Sequence, residues 1–393
     1  MYIYILFGTI IFLCALNIFL NYNERARMIK KIPGPKMDFI FGNGLPGILS
    51  SDGIMALGRK YAMQWKDLYS IWVYPFAVVV IYNPKDIETI LSNIKHGDKS
   101  IIYSLLKSWL GDGLLLSKGT KWQERRKILT PAFHFSVLKV FFDIIEENSK
   151  WLVDKLKQNS GKPIEVPSVI SEFTLNTICE TAMGTQLNEN TTGITKSYRN
   201  AIYDIGSIII QRFVRVFMYP DFIFNLTSLG KNQRKYLKTV HNFTHSVINQ
   251  RRDYIEKSGI NTHSLLSEED NDSYMKSKRK KIAMLDLLLL AEKDGLIDNM
   301  GVQEEVDTFM FEGHDTTASG LTFCFMILAN HKDIQDKIRD ELFEIFGDSK
   351  RPIKMDDLNR MKYLECCIKE SLRMYPPVHF ISRNLNEPTV LSK

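Results

Sequence analysis

One segment of the chain combines residue types that could move protons beside a small ligand. It is FEGHDTT, residues 311–317, in which Gly313, Asp315 and Thr316 interrupt the apolar pattern of a long predicted helix. Gly and β-branched Thr are weak helix formers, and a Thr hydroxyl can bond a carbonyl of the preceding turn, so we expect a bulge or bend here. A bend beside a ligand would leave room for a small molecule. The alternative, which helix physics alone favours, is a core helix whose polar side chains face a crevice.

Two further pairs have spacings that bring side chains together on a helix. Trp122 and Arg126 lie four residues apart and would present an indole N–H and a guanidinium on one face, which suits a bound carboxylate. A surface cation–π contact between them is the alternative. Glu370 and Arg373 lie three residues apart and by themselves would form a solvated ion pair.

The composition is that of a folded protein with no pronounced affinity for nucleic acid. The chain has 393 residues, of which 45% are hydrophobic and 24% charged, and its net charge is +6. We therefore expect no nucleic-acid partner. The five cysteines are irregularly placed and show no CxxC or Cys/His metal spacing. They are predicted to be reduced thiols, with one disulfide or a structural metal as the alternative.

The N-terminal residues predict a membrane anchor followed by a hinge. Residues 2–20 carry no charge and approach the length of about 20 residues that spans a bilayer as a helix. We predict a transmembrane anchor over residues 1–22, with a cleaved signal peptide as the alternative. Residues 23–36 form a basic linker that ends in Pro33-Gly34-Pro35, a stiff bend. By the positive-inside rule, the basic linker predicts that the rest of the chain faces the cytoplasm.

The remaining residues, 37–393, predict a mainly α domain with small β-sheets. Residues 73–84 are β-branched and aromatic and are bounded by Pro and Asn, which predicts a hairpin or paired strands. Helical spacing of apolar residues marks further segments: 137–158, 166–184, 234–256, 282–293, 302–330 and 358–374. Residues 262–281 are strongly polar and predict an exposed loop within one domain, with a domain boundary as the alternative.

Three of these segments resemble the cytochromes P-450. The string FEGHDTT, followed by ASG, is similar to the oxygen-binding helix of that superfamily. Glu312 before the Gly is similar to family 4, the fatty-acid omega-hydroxylase type, as in insect microsomal members. KWQERRKILTPAFHFSVL and KYLECCIKESLRMYPPV resemble the same family. The resemblance implies a cytochrome P-450 fold, preceded by the N-terminal transmembrane helix.

The resemblance also implies roles for the residues of the first segment. Asp315 and Thr316 would manage proton delivery to iron-bound oxygen, as general acid catalysis requires. Gly313 would open the oxygen groove. Glu312 would lie at the cofactor, haem b, either esterified to a haem methyl or as an ordinary carboxylate near the haem edge.

The remaining site residues implied by the resemblance are charged or aromatic. Trp122 and Arg126 would bind one haem propionate, and Arg383 is the second propionate candidate. Glu370 and Arg373 would support the haem-binding core as a buried charge network. Residues 100–116 resemble the variable loop over the active site, and their apolar side chains fit a lipid-like substrate.

The implied activity is a monooxygenase in the endoplasmic reticulum membrane. It would hydroxylate fatty acids or other lipophilic substrates with O2 and with electrons from NADPH through a cytochrome P-450 reductase. The family's iron-ligating cysteine loop would follow Lys393, so we expect the domain to be incomplete, no iron ligand among the five cysteines, and this chain alone to be inactive. The alternative is a non-catalytic fragment from a partial gene model or a pseudogene.

Overall fold

The structure is a computed structural model that describes residues 2–38, 42–43, 51–73, 76–187, 191–258, 283–349 and 351–392. Its helices and strands, in chain order, are α1 (Tyr2–Tyr22), α2 (Glu24–Ile29), α3 (Ser51–Gln64), β1 (Leu68–Val73), β2 (Phe76–Ile81), α4 (Pro84–Leu91), α5 (Lys107–Leu110), α6 (Gly119–Leu129), α7 (Phe135–Gln158), α8 (Val166–Thr181), α9 (Thr192–Val214), α10 (Asp221–Leu226), α11 (Ser228–Ser258), α12 (Met284–Lys293), α13 (Asn299–Asn330), α14 (Lys332–Phe346), α15 (Met355–Leu358) and α16 (Lys362–Met374). The predicted fold class, mainly α with a small β component, is confirmed.

The chain divides into two compact units. The first joins residues 1–105, 204–234 and 382–393, and the second joins residues 106–203 and 235–381. The predicted boundary after residue 36 does not fall between these units. The single domain predicted for residues 37–393 remains a prediction.

A two-stranded antiparallel sheet forms part of the first unit. Leu68 lies opposite Ile81, and Val73 opposite Phe76. Paired strands are present, but of the range predicted for them, 73–84, only β2 and the last residue of β1 lie inside it. The first strand begins at Leu68, because aromatic and β-branched residues continue in that direction. Trp72 of β1 is buried in a small apolar cluster with two residues of α2.

The Pro-Gly-Pro hinge and the residue before it are attached to β1 by hydrogen bonds from Ser70. The main-chain N–H of Ser70 donates to the carbonyl oxygen of Pro33 at 2.8 Å, and its hydroxyl donates to that of Ile32 at 3.1 Å. A Cβ on Gly34 would overlap the carbonyl oxygen of Ser70. Glycine therefore allows the hinge to lie directly against the strand.

α1 exposes many of its large apolar side chains, among them Phe7, Phe12 and Phe19. Among the described residues, no single helix has both the length and the apolar character needed to cross a membrane. The bent pair of Gly119–Phe133 and Val137–Gln158 meets these requirements by length and composition.

α13 is the central helix of the second unit. It begins where the Asp298 carboxylate accepts a hydrogen bond from the main-chain N–H of Gly301 at 2.8 Å, an N-cap that satisfies a free donor of the first turn. α8 is its most extensive packing partner, and α7 packs on α8. All side chains of α12 from Met284 to Ala291 are buried, as expected of a core helix that is apolar on most of its surface. These helices hold α13 in the interior.

The six predicted helical segments are confirmed, with ends that differ by a few residues from α7, α8, α11, α12, α13 and α16. α9 and α14 lie outside those segments. The expected bulge at residues 313–317 is absent, because α13 is helical without interruption and packing against α8 outweighs the weak propensity of Gly and Thr. The polar stretch 262–281 lies outside the described residues.

Candidate functional site

Three polar side chains share one face of α13 in the second unit. Glu312, Asp315 and Thr316 follow the i, i+3, i+4 spacing of helical neighbours, and all three are half-buried. The Thr316 hydroxyl donates to the main-chain carbonyl oxygen of Glu312. Burial raises the pKa of the Asp315 carboxyl. Asp315 therefore retains its proton more strongly than a solvated aspartate does, and the next residue, Thr316, carries a hydroxyl. Such a pair is suited to proton transfer.

Gly313 lies on the side of α13 that packs against α8. A Cβ at this position would come within 2.6 Å of Cδ1 and 2.9 Å of Cγ1 of Ile178. The role of Gly313 in opening an oxygen groove remains a prediction. The lack of a side chain at Gly313 allows α8 to approach α13 closely, because Ile178 occupies the space that a Cβ would need.

His314 is fixed to α8, a contact that the sequence did not indicate. Its Nε2 lies 2.8 Å from the hydroxyl of Ser171, and its ring is 6.3 Å from that of Tyr198. Burial and the positive charge of Arg199 lower the pKa of His314 to about 4, so the imidazole is neutral at physiological pH. His314 thus anchors the helix beside Asp315.

The predicted pair on α6 is formed. The guanidinium carbon of Arg126 lies 5.2 Å from the centre of the Trp122 ring, and the Arg126 side chain is exposed. Among the described residues, no carboxylate pairs with Arg126. The cation–π alternative is therefore present, and it leaves the guanidinium able to bind an anion. An indole N–H and an uncompensated guanidinium fit the propionates of a haem.

Glu370 and Arg373 form a two-pronged salt bridge, with both nitrogen–oxygen distances at 2.7 Å. The expected burial is not observed: their side chains are 56% and 70% exposed. Of the α16 side chains only Ser371 is buried, so no described element covers the face that carries the pair. In this structure the pair is the solvated ion pair that its spacing alone predicts.

Arg383 belongs to the first unit. Its main chain bridges to Lys99, and its Nη1 donates to the carbonyl oxygen of Ser382 at 3.0 Å. The hydroxyls of Ser382 and Ser100 lie 2.5 Å apart and join the same two segments. Its propionate role remains a prediction.

Three of the cysteines are in surroundings that disfavour the thiolate that an iron ligand requires. Burial raises the pKa of the Cys179, Cys324 and Cys367 thiols. Among the residues that the structure describes, no three His, Cys, Asp or Glu side chains form a metal-ion cluster. Trp122 and Arg126 fit a haem propionate, and no described thiol is assigned to the iron.

Sequence reasoning missed two polar clusters that attach α13 to its neighbours. In one, the Asp307 carboxylate accepts from the Thr244 hydroxyl at 2.7 Å and lies 2.9 Å from Nδ1 of His241, both on α11. In the other, Glu304 and Glu305 contact α6 and the loop after α5. Glu304, Glu305 and Asp307 precede Glu312 in an otherwise largely apolar helical segment, and Glu304 and Asp307 share a helical face. These acids are the one signal that could have indicated the clusters.

Comparison with known proteins identifies the family. The sequence model of the Cytochrome P450 family matches residues 32–393. Cytochrome P450 4d2 of Drosophila melanogaster is 38% identical over 359 residues, covering 90% of this chain and 70% of the relative. Cytochrome P450 4c3 of Drosophila melanogaster is 37% identical over 392 residues, covering 96% and 73%. Cytochrome P450 4c21 of Blattella germanica is 38% identical over 386 residues, covering 96% and 75%.

The family model covers more than half of the chain, and each of these relatives is a family 4 protein by its name. Members of the family are haem-thiolate monooxygenases that bind haem b and take electrons from NADPH through a reductase. The predicted resemblance is confirmed. The chain belongs to the cytochrome P450 family, in its family 4, and is by that membership a haem monooxygenase.

Proposed function

We propose that this enzyme hydroxylates fatty acids or related long lipophilic molecules near the chain terminus, using O2 and electrons from NADPH through a cytochrome P-450 reductase. The observation that carries the proposal is the half-buried polar face of α13 formed by Glu312, Asp315 and Thr316. The lipid-like substrate would meet the apolar residues that precede α6, of which Trp109, Leu110 and Leu116 are buried in this structure.

Haem, when bound, supplies the activation of O2 and the insertion of one oxygen atom into a C–H bond. Asp315 holds a proton more strongly than a solvated aspartate, because burial disfavours its charged form. Thr316 keeps its hydroxyl at the helix surface by donating to the carbonyl oxygen of Glu312. The lone pairs of that hydroxyl remain able to accept a hydrogen bond, so Thr316 would position a proton-donating group on this face while Asp315 holds the ionisable proton.

Cationic and aromatic residues are proposed to hold the cofactor by its edge. Trp122 and Arg126 would bind one propionate with an indole N–H and a guanidinium, and Arg383 would bind the other. Glu312 would lie against the haem edge, and an ester to a haem methyl remains a proposal beside the free carboxylate. Glu370 and Arg373 would stabilise the haem-binding core.

We further propose that α1 anchors the enzyme in the endoplasmic reticulum membrane, with residues 23–36 as a linker and the catalytic domain in the cytoplasm. Residues 2–20 lack charge, and Arg25, Arg27, Lys30 and Lys31 follow them. Deleting residues 2–22 should release the protein from microsomes washed with carbonate. Recovery of the intact chain in the carbonate supernatant would contradict an integral anchor.

The substrate class is tested by supplying the haem-loaded enzyme with NADPH, a cytochrome P-450 reductase and saturated fatty acids of increasing chain length. We expect mono-hydroxylated products, with the hydroxyl position assigned by mass spectrometry to the end remote from the carboxylate. D315N serves as the matched variant, since it keeps the shape and removes the ionisable carboxyl. Turnover of bulky polycyclic molecules, with no hydroxylated fatty acid at any chain length, would refute the proposed substrate.

A further inference from the structure

Two adjacent carboxylates of α13 bind the main chain of the loop that follows α5. Oε1 of Glu304 accepts from the N–H of Asp112 at 2.8 Å, and Oε2 of Glu305 accepts from the N–H of Leu114 at 3.1 Å. The two carboxylate side chains are 14% and 0% exposed. Hydrogen bonds from main-chain donors to such shielded carboxylates are stronger than neutral ones. The loop is thus fastened at two points.

Two glycines allow the loop to lie directly on the helix. A Cβ on Gly111 would come within 2.6 Å of Cγ of Glu304, and Gly111 has a φ of +57°. A Cβ on Gly113 would come within 2.7 Å of the Thr308 hydroxyl and 2.8 Å of the carbonyl oxygen of Glu304. A side chain at either position would force the loop away from α13.

Apolar residues flank the fastened loop, and one of them contacts α13 just before Glu312. Trp109, buried at the end of α5, lies 4.3 Å from the ring of Phe311, the residue before Glu312. Leu116, at the other end of the loop, is also buried. The apolar residues around the loop therefore take their position from the part of α13 that directly precedes Glu312.

Two cations of α6 face the carboxylates. Nζ of Lys121 lies 3.1 Å from Glu304 and 3.2 Å from Asp112. Arg125 is buried, with nitrogens 3.9 Å from Glu304 and 3.8 Å from Glu305. Two cations thus face three carboxylates, and the charges balance when one carboxylate is protonated. Arg125 precedes Arg126, so the same cluster joins the loop to the helix proposed to bind a propionate.

We propose that Glu304 and Glu305 are positioning residues that hold residues 111–114 on α13 and so set the position of the apolar loop that receives a lipid-like substrate. The substrate part rests on the proposed function, and the docking of the loop does not. Neither residue touches substrate or cofactor in this role. They act through the main chain of the loop.

The docking depends on pH through Glu305. Burial raises the pKa of Glu305 to about 7, an effect that the Leu114 N–H and the Arg125 charge only partly offset. Lys121 also lowers this pKa, whereas Glu304 raises it. A solvated glutamate has a pKa of 4.5, so between pH 4.5 and about pH 7 the docked state binds a proton that the undocked state releases. Docking is therefore most favourable at low pH and weakens as the pH rises through about 7.

Hydrogen exchange of the full chain measures the docking directly. E305A and E304A should speed exchange in the segment 107–118 by about tenfold or more, since each removes the acceptor of a main-chain hydrogen bond that holds the loop on α13. E305Q keeps an acceptor oxygen without charge and at about pH 5, where Glu305 is neutral, should protect the segment as well as the wild type does. E344Q changes an exposed glutamate of α14 and is the control. After correction for the intrinsic exchange rate, the wild type should lose protection from about pH 5 to about pH 8, and E305Q should not.

Wild-type exchange in the segment 107–118 of E305A would overturn the proposal. If E305A instead loses protection throughout α8 and α13, the substitution has unfolded the unit. The pH series then tests the proposal. If protection of the segment 107–118 falls with pH in E305Q as it does in the wild type, the proposal is overturned. In the haem-loaded enzyme, E305A should raise KM for a fatty acid by about tenfold, change kcat little and spread hydroxylation over more carbons. Altered exchange without turnover of any fatty acid would refute the proposed substrate and leave the docking role standing.

Discussion

The hydroxyl of Thr316 donates a hydrogen bond to the main-chain carbonyl oxygen of Glu312, one turn earlier in α13. This bond occupies the hydroxyl proton and fixes the orientation of the side chain. Both lone pairs of the hydroxyl oxygen point away from the carbonyl, so the group can accept a hydrogen bond on the half-buried face. A structural bond within the helix thus orients a group proposed to act in proton delivery.

Replacing Thr316 with Val should separate these two roles. Valine has the same shape without the hydroxyl, so we expect T316V to change the free energy of unfolding by about 1 kcal/mol or less. Hydroxylated product per NADPH consumed should fall by about tenfold or more, because the variant lacks the acceptor that positions the proton donor, and general acid catalysis contributes about 10² in rate or more. T316S should restore most of the coupling. Wild-type coupling in T316V, measured by product and NADPH in the same reaction, would argue against the proposed role.

Gly313 should tolerate a methyl group poorly, since its Cβ would lie 2.6 Å from Cδ1 of Ile178. We expect G313A to destabilise the protein by about 1 to 3 kcal/mol in urea unfolding, the usual cost of overpacking. I178V removes the clashing methyl and should recover much of the loss in the double variant. G320A is the control on the same helix, because its nearest neighbour would be 3.5 Å away. Equal effects of G313A and G320A would mean that α8 does not approach α13 at Gly313.

The sequence was most informative about geometry within one helix. Trp122 with Arg126 and Glu370 with Arg373 meet as their spacing predicts, because helix geometry alone brings such positions together. The segments of α7, α8 and α13 were found for the same reason, since burial of one helical face leaves a periodic apolar pattern. α9 was not found, because its glycines and its run of Ile weaken the local helical signal.

Contacts between distant segments could not be predicted from spacing. Ser171 and His314 are separated by 143 residues, and Leu114 and Glu305 by 191. The continuous course of α13 past Gly313 likewise depends on Ile178, which belongs to another helix. Exposure of the Glu370 and Arg373 side chains is also a tertiary property, since the same pair could be buried or solvated at the same spacing.

Arg126 should contribute to haem binding while contributing little to folding. Its side chain is exposed and contacts the Trp122 ring, so we expect R126A to change the free energy of unfolding without haem by about 0.5 kcal/mol or less. The dissociation constant for haem should rise by about tenfold or more if a charge-assisted bond to a propionate is lost. K127A, an exposed cation next to it, is the matched control. Equal haem affinities of R126A and K127A, measured by absorbance titration, would contradict the propionate assignment.

Two of the bidentate ion pairs in the second unit, Arg251 with Asp286 and Arg373 with Glu370, should differ greatly in their contribution to stability. Arg251 contacts both carboxylate oxygens of Asp286 at 2.7 and 2.8 Å and also the carbonyl oxygen of Gly184, with side chains 13% and 7% exposed for the pair. R251A should cost about 3 to 5 kcal/mol, because it leaves a buried charge without its partner. R373A breaks a solvated pair and should shift the urea midpoint far less. Comparable losses for R251A and R373A would show that the Glu370 pair is buried in solution, as the family resemblance implies.

His314 should make folding sensitive to acid. Its pKa is about 4 in the folded protein and 6.5 when solvated, so the unfolded chain binds one more proton between these values. The contribution of His314 to the free energy of unfolding is therefore fully present above about pH 6.5. It is lost as the pH falls toward 4, by up to about 3 kcal/mol, since each unit of pKa difference corresponds to about 1.4 kcal/mol. Glu305 contributes a slope of the opposite sign over part of this range, so the overall pH curve does not isolate His314.

The difference in unfolding free energy between wild type and H314Q isolates the histidine, since Gln does not titrate and can still hydrogen-bond to the Ser171 hydroxyl. We expect this difference to favour the wild type more at pH 7 than at pH 4.5. H379Q, at an exposed histidine, should show no such trend. A constant difference from pH 7 to pH 4.5 would mean that His314 titrates as a solvated group, and that its contact with Ser171 does not hold α8 and α13 together beside Asp315.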